Sequence, residues 1–378
     1  MAEEPGPMWP VHSNIDFCIK HNDDALFLNY MKLNEIPKKI WKIKMLKRLY
    51  MKQNLLRNLP NEISLLGSLV CLYLDSNMIE NIPQSIGCLP CLESLELSRN
   101  EIKEIPTSIG DLPKLKSLHL SHNNLKSLPA EIGKLKHLLT LNLMNNEIEE
   151  LPKEINGCIS LNTLQVDGNH LNYIPREILD LECLQDFSAS RNNLKFLPLD
   201  LYHLKSITDL TLDANYHLLY IPGSIVLCPK LIYLGLHNCI RPEGDRSNPA
   251  DYLGLRIKRI GSYTGNVMPL VELCFREAGK LMKDSVNQLR NNVAPTELLN
   301  ILKRPTGTCF VCNKSVYTSV FVLEKSPTQV LRYCYLNNTP NPSIHAVIRS
   351  IPEGIPLLFI FCSLKCCHSC EIAFEEFR

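Results

Sequence analysis

A 23-residue spacing between asparagines constrains this chain more than any other feature. Asn54, Asn77, Asn100, Asn123, Asn146, Asn169, Asn192 and Asn215 follow one another without a slip. Ahead of each lies one apolar frame, as in Leu92-Glu93-Ser94-Leu95-Glu96-Leu97-Ser98-Arg99-Asn100, and behind it an aliphatic residue, an aliphatic-Pro step and two further aliphatics, here Ile102, Ile105-Pro106, Ile109 and Leu112. A fixed period of this length means a solenoid of identical coils. A single coil must order its residues at roughly 1.5 kcal/mol each, and its seven or so buried apolar side chains return only about 1.5 to 3 kcal/mol apiece. One coil cannot fold alone, so stacking must supply what is missing.

The alternation within each frame predicts a short strand around the central leucine, and stacked coils turn these strands into a parallel sheet. The asparagine sits where the chain leaves the strand, a place where its amide can satisfy backbone groups. Proline at the aliphatic-Pro step (Pro60, Pro83, Pro106, Pro129, Pro152, Pro175 and Pro198) removes a donor and fixes φ, which favours a turn-like return arm over a long helix. The frame is that of a leucine-rich repeat. The expected fold class is therefore α/β: a leucine-rich repeat solenoid of about ten 23-residue repeats, followed by a helical C-terminal cap and a small zinc-binding module.

The phase marks the ends. Counting back from Asn54 gives a degenerate first repeat at Met31, with Leu26-Phe27-Leu28 before it and Ile36-Pro37 after it. After Asn215 the step becomes 24, and the last frame, Leu231 to Leu236, ends on Cys239. The domain reading follows: an N-terminal segment 1–22, the solenoid 23–240, a loop and helical cap 241–305, and a Cys-rich module 306–378.

Composition points to a cytoplasmic protein, with the nucleus as a second possibility. Forty Lys+Arg balance 39 Asp+Glu, so bulk charge gives no reason to expect nucleic acid. The acidic, Pro-containing start resembles neither a secretory signal nor a transit peptide, and no apolar run is long enough to span a membrane; residues 355–362 read as a buried strand. Of the 16 cysteines, Cys71, Cys88, Cys91, Cys158, Cys183 and Cys228 fall within the coils, several of them on apolar frame positions where a thiol serves as a small core hydrophobe, and no paired cysteine caps suggest secretion. A basic run from Lys38 to Lys52 reads as a solvated face.

Solenoids of this kind bind partners on the concave sheet. Its outward positions run from Arg48, Tyr50 and Lys52, through a polar middle that includes His119 and His122, to an acidic end at Asp167, Asp186, Asp209 and Asp213. A protein partner with a basic surface is expected there, with ordinary solubilising decoration as the bland alternative. No catalytic constellation, phosphate-binding glycine loop or nucleophile elbow is apparent, so an enzyme is not expected.

Beyond the repeats, residues 241–267 read as loop-rich, residues 268–290 as a helix with Pro269 in its first turn, and residues 296–302 as a second short helix. Cys309 and Cys312 form one closely spaced thiol pair and Cys362 and Cys366 another, which together can surround one structural zinc ion tetrahedrally. Cys334, Cys367, His368 and Cys370 are spare candidates.

The order of parts, repeats of Leu-x-x-Leu-Pro type, then Pro269-Leu270-Val271-Glu272-Leu273-Cys274, then the CxxC pair and Phe361-Cys362-Ser363-Leu364-Lys365-Cys366, resembles a small group of animal intracellular leucine-rich repeat proteins with this C-terminal tail. Relatives with such a tail are similar to substrate receptors of cullin ubiquitin ligases. That resemblance implies that Leu270, Leu273 and Cys274 anchor elongin B/C, and that Pro295, Leu298 and Leu302 meet a cullin, although Ala294 stands where a bulky residue is usual. Against it stands a plain interaction scaffold whose helix and zinc module merely cap the solenoid.

Overall fold

The computed structural model describes residues 11–239 and, of the remainder, 256–258, 307–308, 315–316, 319–325, 343–351 and 357–361. It divides into two units: residues 1–193 with 206–212, and residues 194–205 with 213–378.

The first unit opens with a helix, α1 (Val11–His21). Nine three-residue strands follow, β1 (Ala25–Phe27), β2 (Arg48–Tyr50), β3 (Cys71–Tyr73), β4 (Ser94–Glu96), β5 (Ser117–His119), β6 (Thr140–Asn142), β7 (Thr163–Gln165), β8 (Asp186–Ser188) and β9 (Asp209–Thr211). They pair in parallel and in sequence order, each residue opposite the one 23 positions on, as Leu95↔Leu118 and Asp186↔Asp209. The middle residue of each strand points into the core and the two flanking ones face solvent, because successive strand side chains alternate. The return arms are short 3-10 turns, each entered from a proline in extended conformation, such as Thr107–Asp111 after Pro106. The fixed φ of proline and its missing N–H stop a longer helix from forming there.

Each asparagine acts as the predicted backbone clamp. The Nδ2 of Asn123 donates to the carbonyls of Leu97 and Leu120, both at 3.0 Å, and its Oδ1 accepts the N–H of Ile102 at 3.0 Å. The Leu120 carbonyl also accepts Nδ2 of Asn146, so each such carbonyl is shared by two successive asparagines. The residue before each clamp lies in the left-handed region, from Gln53 (φ 50°) through Arg99 (φ 57°) to Arg191 (φ 53°); only Gly168 (φ 65°) among them is a glycine. On the return arms a Cβ on Gly87, Gly110 or Gly133 would fall 2.1–2.3 Å from a carbonyl oxygen of the next turn. Neighbouring turns approach so closely there that no side chain fits.

The second unit contains the 3-10 turn Leu201–His203, then β10 (Ile221–Pro222) and β11 (Tyr233–Gly235), the last giving the tenth strand of the repeat series. The extra residue after Asn215 falls in the stretch that ends in β10. Tyr220 is fully buried there, and its hydroxyl has no hydrogen-bond partner among the described residues. β10 joins a second sheet in the order β10, β16 (Leu357–Phe361), β15 (Ser319–Lys325), β12 (Arg256–Lys258). The expected buried strand is thus β16, with Leu357 fully buried. A two-stranded pair, β13 (Gly307–Thr308) and β14 (Ser315–Val316), completes the strands among the described residues. A second helix, α2 (Ile344–Arg349), buries Val347 and Ile348, and Ser350 just after it donates to the carbonyl of Leu234 at 2.9 Å.

Within the loop-rich stretch 241–267, β12 pairs in parallel with β15. The N-terminal segment, for which no element was expected, carries a helix held by Ile15 and Cys18, which are buried. Of the coil cysteines, Cys158 and Cys228 are buried and Cys71 and Cys91 half-buried, whereas Cys88 and Cys183 are exposed. The helices expected at 268–290 and 296–302, with Leu270, Leu273, Cys274, Pro295 and Leu298, lie outside the described residues. So do Cys309, Cys312, Cys362 and Cys366 and the spare candidates Cys334, Cys367, His368 and Cys370.

Candidate protein-binding face

The solvent side of the strands β1–β9 displays three columns of side chains, two from the strands and one from the residue two places beyond each strand. At the first coils the outer strand column is aromatic. Phe27, Tyr50 and Tyr73 stack face to face, with centroids 4.6 and 4.7 Å apart and planes within 6°. The parallel register, at roughly 4.8 Å per strand, sets this step. The cations beside the stack are neutralised internally. Arg48 Nη2 lies 2.7 Å from Asp24 Oδ1, Lys47 pairs with the same carboxylate at 3.5 Å, and Lys52 pairs with Asp75 at 3.2 Å while lying 4.9 Å from the Tyr73 ring centroid. The basic run is therefore less open than its sequence implies, since Lys39 also pairs with Asp16 at 3.0 Å.

In the middle, Glu96, His119 and Ser117 meet. Burial pushes the Glu96 carboxyl up to about 7, against the pull of Lys52 and with a further push from Asp75. Burial also depresses His119. Both effects favour the uncharged forms, so the 3.5 Å Glu96–His119 contact is not an ion pair at neutral pH. The trio is not a catalytic relay. Ser117 Oγ lies 2.7 Å from His119 Nε2, and Glu96 approaches that same nitrogen, whereas a relay needs the acid on Nδ1. His122 is held by Asn145, whose Nδ2 lies 3.2 Å from its Nε2.

The acidic end divides. Asp186 and Asp209 stand opposite each other on β8 and β9, both facing solvent. Burial raises the Asp186 carboxyl first, and the carboxylates of Asp209 and Asp167 raise it further. Among the described residues no cationic side chain lies within ion-pair distance of either Asp186 or Asp209. Asp167 departs from the expectation of a partner-facing carboxylate. It is buried, and its Oδ1 accepts Ser188 Oγ and, at 2.7 Å, the backbone N–H of Ser190. The serines of the next coil turn this acid inward, a cue present in the sequence only as their registry with it. In the second unit, Asp213 accepts the His237 backbone N–H at 2.6 Å and lies 3.3 Å from its Nδ1.

Among the described residues no group of three or more His, Cys, Asp or Glu side chains could hold a metal ion. The buried thiols are inert. Cys158 donates to the Ile132 carbonyl at 3.1 Å, and burial pushes it and Cys228 up to about 12. No helix among the described residues is long and apolar enough to cross a membrane.

Residues 107–217 match the family described as leucine-rich repeat region, and residues 69–125 match leucine rich repeat. A comparison with curated protein sequences gave no significant match. Among solved structures, a leucine-rich repeat protein of Leptospira interrogans is 28% identical over 59% of this chain and 69% of its own, with a TM-score of 0.49. The plant peptide hormone receptor RGFR1 in complex with RGF2 is 30% identical over 54% of this chain and 36% of its own (TM-score 0.48). PEPR1 with AtPEP1 is 24% identical over 57% of this chain and 37% of its own (TM-score 0.48). The chain thus spans little more than a third of those two receptor chains.

Proposed function

We propose that this chain, whose residues 69–217 match leucine-rich repeat families, is a protein–protein interaction module that holds a basic segment of its partner against the solvent side of the sheet. The observation that carries this reading is the Asp186/Asp209 pair. Two carboxylates are held side by side on rigid strands, and no cation of the described residues answers them. The strands order both groups before binding, so a lysine or arginine meets them without a large conformational cost. The neutralised cations and the aromatic stack at the opposite end add surface without adding repulsion toward a basic partner. Affinity capture with wild type and with Asp186→Asn/Asp209→Asn tests it. Captured partners should be lost from the double variant and from wild type at high salt. An unchanged set in the double variant refutes the reading.

In its finer form the module is a substrate-recognition adaptor, presenting that partner to an elongin/cullin ubiquitin ligase. This form is supported by the sequence Pro269-Leu270-Val271-Glu272-Leu273-Cys274 alone, whose apolar residues suit a helix laid into a partner groove. Leu270→Asp/Cys274→Asp should abolish elongin C capture and leave the thermal melt unchanged. A lowered melt, or a wild type that never captures elongin C, favours the scaffold whose C-terminal module, with zinc on Cys309, Cys312, Cys362 and Cys366, is a structural cap.

A further inference from the structure

The aromatic stack has an end. β1 is the first strand of its sheet, so Phe27 stacks on Tyr50 through one face and has no neighbouring strand beyond it. On that side a cavity of about 430 Å³ lies between α1 and β1, lined by Asn14, Phe17 and Cys18 from the helix, and by Asp23, Asp24, Ala25, Leu26, Phe27 and Arg48. Phe17 and Phe27 are 51% and 57% exposed, so two aromatic rings from facing elements border an open space.

The polar lining selects the occupant. Asp24 is already taken by Arg48 and Lys47, which hold its carboxyl below the usual carboxylate range. Asp23 has no such partner. Its backbone carbonyl accepts the Cys18 thiol, and no cationic side chain of the described residues pairs with its carboxylate. Burial and the two aspartates hold the Cys18 thiol protonated, so it offers no nucleophile. Asp23, Asp24 and Arg48 leave the lining itself one net negative charge, and Lys47, outside the lining, pairs with Asp24 and not with Asp23, so the Asp23 carboxylate is the one left unanswered. A neutral ring could stack on Phe27 but would strip water from Asp23 without replacing it. An ammonium would answer the charge but has no planar face. A guanidinium does both, since it stacks on aromatic rings and pairs with a carboxylate through a planar fork.

We propose that the cavity between α1 and β1 is a binding site for an arginine side chain of a partner polypeptide, stacked between Phe17 and Phe27 and paired with Asp23. It lies in the first coils, separate from the Asp186/Asp209 pair, and does not depend on that pair binding anything.

The probe is the blocked tripeptide acetyl-Gly-Arg-Gly-amide, titrated into the full chain and followed by ring resonances of the phenylalanines. Saturable shifts at Phe17 and Phe27 are expected. The citrulline analogue, neutral but of the same shape, should give none, and the lysine peptide should bind about tenfold more weakly. Asp23→Asn should weaken arginine binding about tenfold. Phe17→Leu should weaken it while leaving the melting temperature unchanged, since that ring is exposed. Absence of saturable shifts in wild type, equal binding of citrulline, or undiminished binding by Asp23→Asn overturns the proposal.

Discussion

Replacing Asn123 by alanine tests the clamp at its most regular point. The variant loses three close hydrogen bonds, from Nδ2 to the carbonyls of Leu97 and Leu120 and from the N–H of Ile102 to Oδ1, and a longer one of 3.4 Å to the Ser121 carbonyl, which keeps the Arg99 N–H. They do not weigh equally. The Leu97 carbonyl keeps its bond from Asn100 and the Leu120 carbonyl keeps its bond from Asn146, so neither is left bare. The Ile102 N–H, beside a fully buried side chain, has no second acceptor. One orphaned buried donor costs about 1 to 3 kcal/mol, and weakening two carbonyls that stay bonded adds about 0.5 kcal/mol each, which gives about 2 to 4 kcal/mol in all. The same change at Asn54 frees the N–H groups of Met31 and Leu33, whose bonds are part-exposed so that water can replace them, and also the buried Leu28 carbonyl, which no second asparagine holds. Its cost should be comparable. Urea denaturation followed by circular dichroism measures both, and amide exchange at Ile102 reports the local effect. A loss under about 0.5 kcal/mol for either variant would refute the sharing argument.

Further outcomes are expected. Gly110→Ala puts a Cβ 2.3 Å from the Glu131 carbonyl oxygen and should lower stability by about 1 to 3 kcal/mol, whereas Gly67→Ala meets nothing within 4 Å and should be close to neutral; paired thermal melts decide. Glu96 is raised to about 7 from 4.5, so the folded chain holds its proton where the unfolded chain has released it. Its contribution is complete below about pH 4.5 and is lost as pH rises through about 7. Because the side chain is only partly buried, with 22% of its surface exposed, the effect should be near 1 kcal/mol, and Glu96→Gln should flatten that part of the stability–pH curve. Elemental analysis should find one zinc per chain, lost in Cys309→Ser/Cys362→Ser; metal-free wild type would remove the zinc module from the picture.

The repeat, its register and the work of its asparagines could be read from spacing alone, because every coil repeats one steric problem with one solution. What escaped the reading lies where a side chain's fate depends on the coil after it. Asp167 looked like its neighbours in the outer column, yet Ser188 and the Ser190 N–H draw it inward. The apparent basic face from Lys38 to Lys52 is answered by Asp16, Asp24 and Asp75, two of which come earlier in the chain and one later. Helix α1 had one legible cue, Pro10 directly before Val11, but its buried positions are few and its first turn carries no acid. β12 is three residues long and is defined by its partner β15 rather than by any pattern of its own.

The asparagine clamps also have a direction. Asn123 reaches Leu97, Ile102 and Leu120, all earlier in the chain than itself, and Asn146 repeats this with Leu120, Leu125 and Leu143. When an asparagine leaves the ribosome, everything it must grasp has already been made. Each new clamp can therefore lock the coil behind it without waiting for sequence still to come, and a chain of this design can fold in the order in which it is synthesised.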